Sequence, residues 1–285
     1  MPIPMFDNVP MPSSPSIQHV IAIAAGKGGV GKSTLAVNLA LALKKLGYKA
    51  GILDADIYGP SIRKMLPEDR LPTQQEREIT PALCQGIQMI SMAYFRPENE
   101  AAVVRAPIAN QVISQFLQSV SWGQLDYLLI DFPPGTGDIQ LTLSQQANLT
   151  GAVVITTPQE ISLLDVRKAV HMFNQVKIPL IGIIENMSYY EDPYSQEKRF
   201  IFGEGGGKKL ALEIGAPLLG SIPLHPEICR SGDEGSSLFS KTPLSSSAQA
   251  FQHAASQLVD HVEALKENTK KGLSHFELNW KEMAT

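Results

Sequence analysis

The sequence predicts an α/β protein built on a doubly wound, mostly parallel sheet with helices on both faces. Three observations predict this class. Short, almost continuously apolar segments recur along the chain, as in strands that are covered on both faces. Amphipathic segments with helical spacing separate them. Apolar residues make up 44% of the 285 residues and charged residues 18%, which is sufficient for one large core.

Seven apolar segments are predicted as strands, in this order: HVIAIAA (19–25), KAGILDAD (49–56), IQMISMA (87–93), LDYLLID (125–131), GAVVITT (151–157), PLIGIIEN (179–186) and PLLGSIP (217–223). The first predicted helix follows Gly31, with leucines at helical spacing and Gly47 as its C-terminal stop. The other predicted helices occupy 108–121, 137–148, 160–176, 205–214 and 246–267. Because ligands of such sheets bind at the carboxyl ends of the strands, a site is expected in the loops there.

The segments before and after these predicted strands and helices indicate the domain organisation. Residues 1–16 are rich in Pro and Ser and lack the basic start and apolar core of a signal peptide, so a disordered tail is expected. Residues 17–267 are expected to form one domain and 268–285 a C-terminal tail. Residues 67–81 are polar, contain three prolines and are predicted as an exposed loop.

The charge and the cysteines narrow the function classes. With a net charge of −4 and a pI of about 5.9, the chain has no bulk positive field, so neither nucleic-acid binding nor stable membrane association is expected. The two cysteines, Cys84 and Cys229, lie far apart and form no C-x-x-C. This usage is typical of a reducing compartment, and a cytoplasmic protein is expected.

The stretch GKGGVGKST at 26–34 carries the strongest chemical signal. It follows a predicted strand and opens a predicted helix, where glycine N–H groups and the helix N-terminus attract phosphate. The dinucleotide pattern G-x-G-x-x-G fits Gly26, Gly28 and Gly31, whereas the triphosphate pattern G-x-x-x-x-G-K-S/T also uses Lys32 for the phosphates and Ser33 for Mg²⁺. The predicted nucleotide-binding residues of this loop are Gly26, Lys27, Gly28, Gly29, Val30, Gly31, Lys32, Ser33 and Thr34.

The segment DFPPGTGD at 131–138 favours the triphosphate. Asp131 ends a predicted buried strand, where a carboxylate can hold Mg²⁺, and Gly135 can offer its N–H to the γ-phosphate. Alternatively, the segment is only a tight loop with a helix cap at Asp138. The dinucleotide pattern would make Asp54 the ribose-binding acid and gives 131–138 no role. Hydrolysis of a triphosphate is therefore the stronger hypothesis.

DADIYGPS at 54–61 supplies two further acids at the end of the second predicted strand. Asp54 is assigned to Mg²⁺ or its waters, and Asp56 to orienting the attacking water, because phosphoryl transfer relies on positioning and electrostatics. Either acid can instead cap a helix or a turn. The expected Mg²⁺ ligands are Ser33, Asp54 and Asp131, and the expected cofactors are ATP and Mg²⁺.

With lysine in its second position, GKGGVGKST resembles the deviant phosphate loop of the MinD, ParA and NifH superfamily of dimeric ATPases. Five further blocks are similar to its Mrp or ApbC branch, the iron–sulfur cluster carrier ATPases: DADIYGPSI (54–62), WGQLDYLLIDFPPGTGD (122–138), ENMS (185–188), FGEGGGKKLA (202–211) and LLGSIPLHPEI (218–228). The resemblance runs from about Ser16 to Leu238. It implies a P-loop ATPase domain of the MinD and NifH type within 17–267.

The resemblance also implies roles for single residues. Lys27 is expected to reach the partner's phosphates across a nucleotide-sandwich homodimer, so the expected catalytic residues are Lys27, Lys32 and Asp56. Asn186 is expected to read adenine, and Pro223 to flank the base. His225 stands where the family often has aspartate, and from the sequence it is otherwise an exposed loop histidine.

The cluster ligands implied by the family are missing. Relatives carry C-P-x-C between NMSY and IFGEGGG, and two subunits supply four thiolates to a 4Fe–4S cluster. Here Pro193 is retained, but Asp192 and Ser195 occupy the cysteine positions. Carboxylate and hydroxyl oxygens are hard ligands that suit such a cluster poorly. Cys229 is an alternative thiolate if its loop approaches the dimer axis, although a small packed thiol is the simpler expectation.

Two functions remain in competition at this point. The first is a homodimeric ATPase of the cluster-carrier family, acting in iron–sulfur assembly or transfer with scaffold or apoprotein partners. The second is a nucleotide-switched interaction protein of the MinD and ParA kind without a cluster. A tyrosine kinase built on a similar loop is set aside, since all seven tyrosines lie at or before Tyr194.

Overall fold

The computed structural model describes residues 17–56, 59–76, 78–95, 106–135, 137–192, 194–195 and 197–283. The predicted N-terminal tail, residues 1–16, lies outside them.

Along the described residues the chain alternates strands and helices, as the sequence predicts. The strands are β1 (Ile17–Ala25), β2 (Ala50–Asp54), β3 (Thr73–Gln75), β4 (Glu78–Thr80), β5 (Ala82–Cys84), β6 (Ile87–Ser91), β7 (Leu125–Asp131), β8 (Gly151–Thr156), β9 (Leu180–Glu185), β10 (Tyr190–Glu191), β11 (Lys198–Arg199) and β12 (Leu218–Ser221). The α-helices are α1 (Lys32–Lys45), α2 (Ile62–Met65), α3 (Ala106–Ser119), α4 (Asp138–Gln146), α5 (Glu160–Gln175), α6 (Gly206–Ile214), α7 (Pro226–Glu234) and α8 (Ser246–Met283).

Eight of these strands form the main sheet, in the order β12-β9-β8-β1-β7-β2-β6-β5. Neighbouring strands are parallel, except that β5 runs antiparallel to β6. β1 lies between β7 and β8, so the winding changes direction beside the strand that leads into the phosphate loop. This topology confirms the predicted doubly wound sheet and places its crevice at the carboxyl end of β1.

Two apolar layers cover the sheet because alternate residues of each strand face opposite sides. In β1, Ile21 and Ile23 pack into the layer that contains α1 and α8. Ala22 and Ala24 face the layer formed by helices α3 to α6. The strands are therefore buried on both faces, which explains their continuous apolar sequence. In the part of the chain that the structure describes, every helix is either too short or too polar to cross a bilayer.

Two predicted segments differ from the structure. Within the predicted loop 67–81, β3 and β4 pair as a small antiparallel hairpin. Ile79 of this hairpin is buried, because its backbone bridges to Val120 and its side chain joins the α3 layer. The closing helix, predicted to end at 267, continues to Met283, since the sequence beyond 267 is rich in helix-forming Lys, Leu and Glu and contains no proline. Treating 268–285 as a separate tail stays a prediction.

Candidate functional site

The phosphate loop connects β1 to α1 at the centre of the sheet. Gly31 caps α1 with a φ of 87°, a conformation that favours glycine. A Cβ at Gly31 would also collide with the side-chain amide of Asn186, and one at Gly26 with the backbone of Asp165 in α5. The space around Gly28 is open. Packing thus fixes the two ends of the loop and leaves room along its middle for a ligand.

Lys32, Ser33 and Asp131 meet at the start of α1. Lys32 Nζ lies 2.7 Å from Asp131 Oδ1, and Ser33 Oγ donates to Asp131 Oδ2 at 2.6 Å. Asp131 is fully buried, and Lys32 is only 8% exposed. Burial raises the pKa of Asp131, and the Lys32 ammonium group opposes that shift. A charged donor and a hydroxyl are therefore held at the phosphate loop around one buried carboxylate.

Asp54 lies beside Asp131 because β2 and β7 pair in parallel with these two residues in register. Burial, followed by the neighbouring Asp131 carboxylate, raises the pKa of Asp54 to about 7. Two carboxylates and the Ser33 hydroxyl thus converge on one buried spot. Hard oxygen donors of this kind are the ligands that Mg²⁺ prefers, and the residues present fit that ion.

Asp56 occupies the turn after β2. Its backbone N–H donates to Asp54 Oδ1 at 3.2 Å, and its own Oδ1 accepts the N–H of Gly59 at 3.2 Å. Asp56 is half-buried. The turn cap, one of the two alternatives open from the sequence, is thus present, and the role in orienting water stays a prediction.

The other predicted nucleotide contacts line the same crevice. Lys27 is half-buried, and among the described residues no carboxylate forms an ion pair with it. Val30 is buried, whereas Thr34 Oγ1 lies 3.6 Å from Met65 Sδ in α2. Gly135 has a φ of 92° and open space at its Cβ position. Lys27 and Gly135 therefore lie in positions that a ligand can reach.

The expected base-binding residues follow β9 and β12. Asn186 is buried and donates its side-chain amide to the carbonyl of Val30 at 2.8 Å, so it joins the phosphate loop to the β9 loop. Pro223 is buried in the adjacent segment, which is held by a hydrogen bond from the N–H of Leu224 to the carbonyl of Tyr189. The structure thus brings Asn186 and Pro223 together, while adenine recognition stays a prediction.

His225 is not the exposed loop histidine that the sequence suggests. It is half-buried and caps α7, since its Nδ1 accepts the N–H of Glu227 at 3.2 Å. Pro226 at the first helical position was the available signal, because proline there marks a helix start.

The position expected for the cluster ligands is a closed turn between β10 and β11. Asp192 Oδ1 accepts the N–H groups of Tyr194 at 3.0 Å and Ser195 at 3.2 Å, and Asp192 Oδ2 lies 3.1 Å from Arg199. These N–H donors, with a smaller contribution from Arg199, lower the pKa of Asp192. Pro193 lies outside the described residues. The carboxylate at the first cysteine position is thus already satisfied by its own hairpin.

The two cysteines lie in opposite surroundings, and a role for Cys229 as a thiolate ligand stays a prediction. Cys84 is buried, and burial raises the pKa of its thiol to about 12. Cys229 is exposed on α7, with Asp233 Oδ2 3.6 Å from its sulfur. Among the residues that the structure describes, no group of three or more His, Cys, Asp or Glu side chains could hold a metal ion. The donors of one chain therefore do not fit an iron–sulfur cluster.

Sequence reasoning missed two buried polar residues of the site. Ser91, at the end of β6, donates to Asp54 Oδ2 at 2.8 Å. Glu185, at the end of β9, accepts hydrogen bonds from Ser188 and from the N–H of Gly207 at the start of α6. Each is a polar residue that ends an apolar strand, and this was the available signal.

Comparisons with known proteins agree with this geometry. A family model for NUBPL iron-transfer P-loop NTPases of the ParA group matches residues 16–259. An iron-sulfur cluster carrier protein of Aquifex aeolicus (strain VF5) is 45% identical over 253 residues, which covers 88% of this chain and 70% of the relative. One of Escherichia coli (strain K12) is 45% identical over 255 residues, or 89% of this chain and 68% of the relative.

Solved structures show the same relationship. A nucleotide-binding protein from Archaeoglobus fulgidus in complex with ADP is 40% identical, with a TM-score of 0.68 over 77% of this chain and 87% of that one. The cell division ATPase MinD of Pyrococcus furiosus has a TM-score of 0.62 at 21% identity, covering 85% and 99%, and shows the fold alone. The alternative of a MinD-like interaction protein is not favoured. The resemblance found in the sequence is confirmed, and the chain belongs to the family of NUBPL iron-transfer P-loop NTPases.

Proposed function

We propose that this protein is a Mg²⁺-dependent ATPase that works as a homodimer in iron–sulfur cluster assembly or transfer, and that the cluster itself is held by a partner protein. One observation carries the ATPase part of the proposal. Lys32 and Ser33 of the phosphate loop share the buried carboxylate of Asp131, which ends the neighbouring strand. This arrangement brings together a cation for phosphate and oxygen donors for a divalent ion.

The chain's own residues would divide the work as follows. Asp131 holds the Lys32 ammonium group at the phosphate loop, where it can exchange a carboxylate oxygen for a phosphate oxygen. Ser33, Asp54 and Asp131 would hold Mg²⁺, which when bound neutralises charge on the phosphate oxygens. Asp56, half-buried in the turn beside Asp54, would orient the attacking water. Asn186 would bind adenine through the hydrogen-bonding groups of its side-chain amide that Val30 does not use, while Pro223 would pack beside the base.

Lys27 supports the homodimer. It lies in the open stretch of the loop, and no carboxylate of the described chain pairs with it. A second subunit would let this lysine neutralise phosphate charge across the interface, as an arginine finger does. We expect Lys27→Ala to weaken ATP-dependent dimerisation about tenfold while initial ATP binding changes little. Sedimentation with and without ATP measures this, and unaltered dimerisation in the variant would contradict the role.

The partner-held cluster follows from the turn at 192–195. Asp192 is engaged by its own hairpin, and the thiol of Cys84 is buried. The cluster is therefore cargo of a scaffold or an apoprotein client, and the nucleotide cycle would act on that partner. Both cysteines are free, which supports a reducing cytoplasm as the compartment.

Three measurements test this proposal. Calorimetry with Mg·ATP should give a heat of association, and a phosphate-release assay should show turnover that requires Mg²⁺. If neither a heat of association nor Mg²⁺-dependent turnover is observed, the proposed ATPase activity is wrong. Anaerobic reconstitution with iron and sulfide should leave the purified protein without bound iron, and stoichiometric iron would show instead that the protein holds the cluster itself.

A further inference from the structure

Ser91 ends β6 directly beside Asp54. The two residues are paired in register between β6 and β2, and both are fully buried. The Ser91 hydroxyl donates to Asp54 Oδ2 at 2.8 Å and accepts the N–H of Ala93 at 3.1 Å. Because the hydroxyl uses its donor and an acceptor site at the same time, its hydrogen is fixed on Asp54.

Asp54 needs such a donor because of its other neighbour. The Asp131 carboxylate lies beside it on β7, and Lys32 forms its ion pair with Asp131 and not with Asp54. Two buried carboxylates on adjacent strands repel each other. The remaining oxygen of Asp54 is held only by the backbone N–H of Asp56, at a longer 3.2 Å, within the described chain. The Ser91 hydroxyl is thus the side-chain contact that opposes rotation of Asp54 away from Asp131.

We propose that Ser91 is a positioning residue for Mg²⁺: its hydroxyl holds the Asp54 carboxylate in the orientation in which Asp54 and Asp131 face the same ion. This inference rests on the proposed function, since it concerns the same nucleotide site. It assigns no contact between Ser91 and the nucleotide. Loss of the hydroxyl is therefore expected to weaken the contribution of Mg²⁺ to binding and to leave metal-free binding unchanged.

The test compares the affinity of the full-length protein for a non-hydrolysable ATP analogue with Mg²⁺ and with EDTA, by calorimetry. The ratio of the two affinities reports how strongly the metal supports binding. Ser91→Ala should reduce this ratio about tenfold, the typical effect of a hydrogen bond to a charged group. Ser247→Ala is the matched control, because Ser247 is also fully buried, lies on α8 and has a hydroxyl without a hydrogen-bond partner in the described chain. It should leave the ratio unchanged.

A double-mutant cycle with Asp54→Asn separates positioning from a general loss of structure. Once the carboxylate is gone, Ser91→Ala should have no further effect on the ratio. If Ser91→Ala does not fold, Ser91→Cys takes its place, since the thiol is similar in size but a weak donor. A ratio within about twofold of wild type in a folded Ser91 variant would overturn the inference while the proposed function stands. A wild-type protein that binds the analogue equally with and without Mg²⁺ would overturn the proposed metal site itself.

Discussion

Asp131 and Asp192 are two carboxylates at strand ends, and their surroundings are opposite. Asp131 is fully buried, and its donors, Lys32 and Ser33, come from a segment about 100 residues away in the chain. Asp192 is partly exposed, and its donors among the described residues come from its own hairpin, within seven residues. The first carboxylate belongs to a site assembled by the whole fold, whereas the second closes a local turn.

This difference bears on which of the two expected sites the residues of one chain form. The buried ion pair at Asp131 costs desolvation and adds little net stability, and a ligand-binding role accounts for that cost. The turn at Asp192 carries no comparable cost, and among the described residues both oxygens of its carboxylate already have partners in the hairpin. Residues predicted for the nucleotide site thus meet in a buried cluster, whereas the position predicted for the cluster ligands is an ordinary hairpin.

Replacing Lys32 by alanine should disrupt the site around Asp131 and have the largest of the expected effects. The change removes the phosphate-binding charge, so ATP affinity should fall at least about 100-fold. It also leaves Asp131 buried without a counter-ion, so the free energy of unfolding should fall by about 3 kcal/mol. Calorimetry and urea unfolding measure the two effects. Lys45→Ala, at the exposed end of the same helix, should change neither, and normal ATP binding by Lys32→Ala would exclude the site.

Restoring thiols in the hairpin at Asp192 should allow it to bind an iron–sulfur cluster. In the double variant Asp192→Cys with Ser195→Cys, anaerobic reconstitution should raise bound iron from none to about two atoms per chain, as a 4Fe–4S cluster shared by two subunits requires. Iron analysis and visible absorption measure this. Adding Cys229→Ser should not change the iron content. No iron in a folded double variant would mean that more than the two ligands has been lost.

Asp56→Asn separates the two roles open to Asp56. Asparagine can still accept the N–H of Gly59 through its side-chain oxygen, so the turn is kept while the carboxylate is lost. We expect ATP to bind normally and turnover to fall about 100-fold. The same loss is expected for Asp56→Ala. If Asp56→Asn hydrolyses ATP at the wild-type rate while Asp56→Ala does not, Asp56 is only a turn cap.

The pH dependence of stability offers a smaller test of the buried carboxylates. The pKa of Asp54 is about 7 in the folded protein and 3.8 when unperturbed, so the folded state holds the proton more tightly. Its contribution to stability is therefore present at low pH and is lost as the pH rises towards 7. Relative to Asp54→Asn, wild type should lose about 2 kcal/mol between pH 5 and pH 7. Urea unfolding at the two pH values measures this, and a parallel response of both proteins would contradict the shift.

Much of the site could be read from the sequence because its signals are local. The glycines and lysines of the phosphate loop, the acids Asp54 and Asp131 that end two apolar strands, and the missing cysteines all lie in short segments. The hairpin at 73–80 was missed, since a single buried isoleucine gives little local signal. The prediction that His225 is an exposed loop residue was wrong, since one histidine by itself does not indicate a helix cap. The roles of Lys27, Asp56 and Asn186 stay predictions.

The alternation of strands and helices, the phosphate loop and the absence of the thiol pair can be predicted from the sequence, because each depends on residues close together in the chain. Which side chains share the site depends on the tertiary structure. Lys32 meets Asp131 across 99 residues, Ser91 meets Asp54 across 37, and Asn186 meets Val30 across 156. These contacts exist because parallel strands bring their carboxyl ends to one edge, and the order of strands in the sheet is set by long-range packing that no short segment encodes.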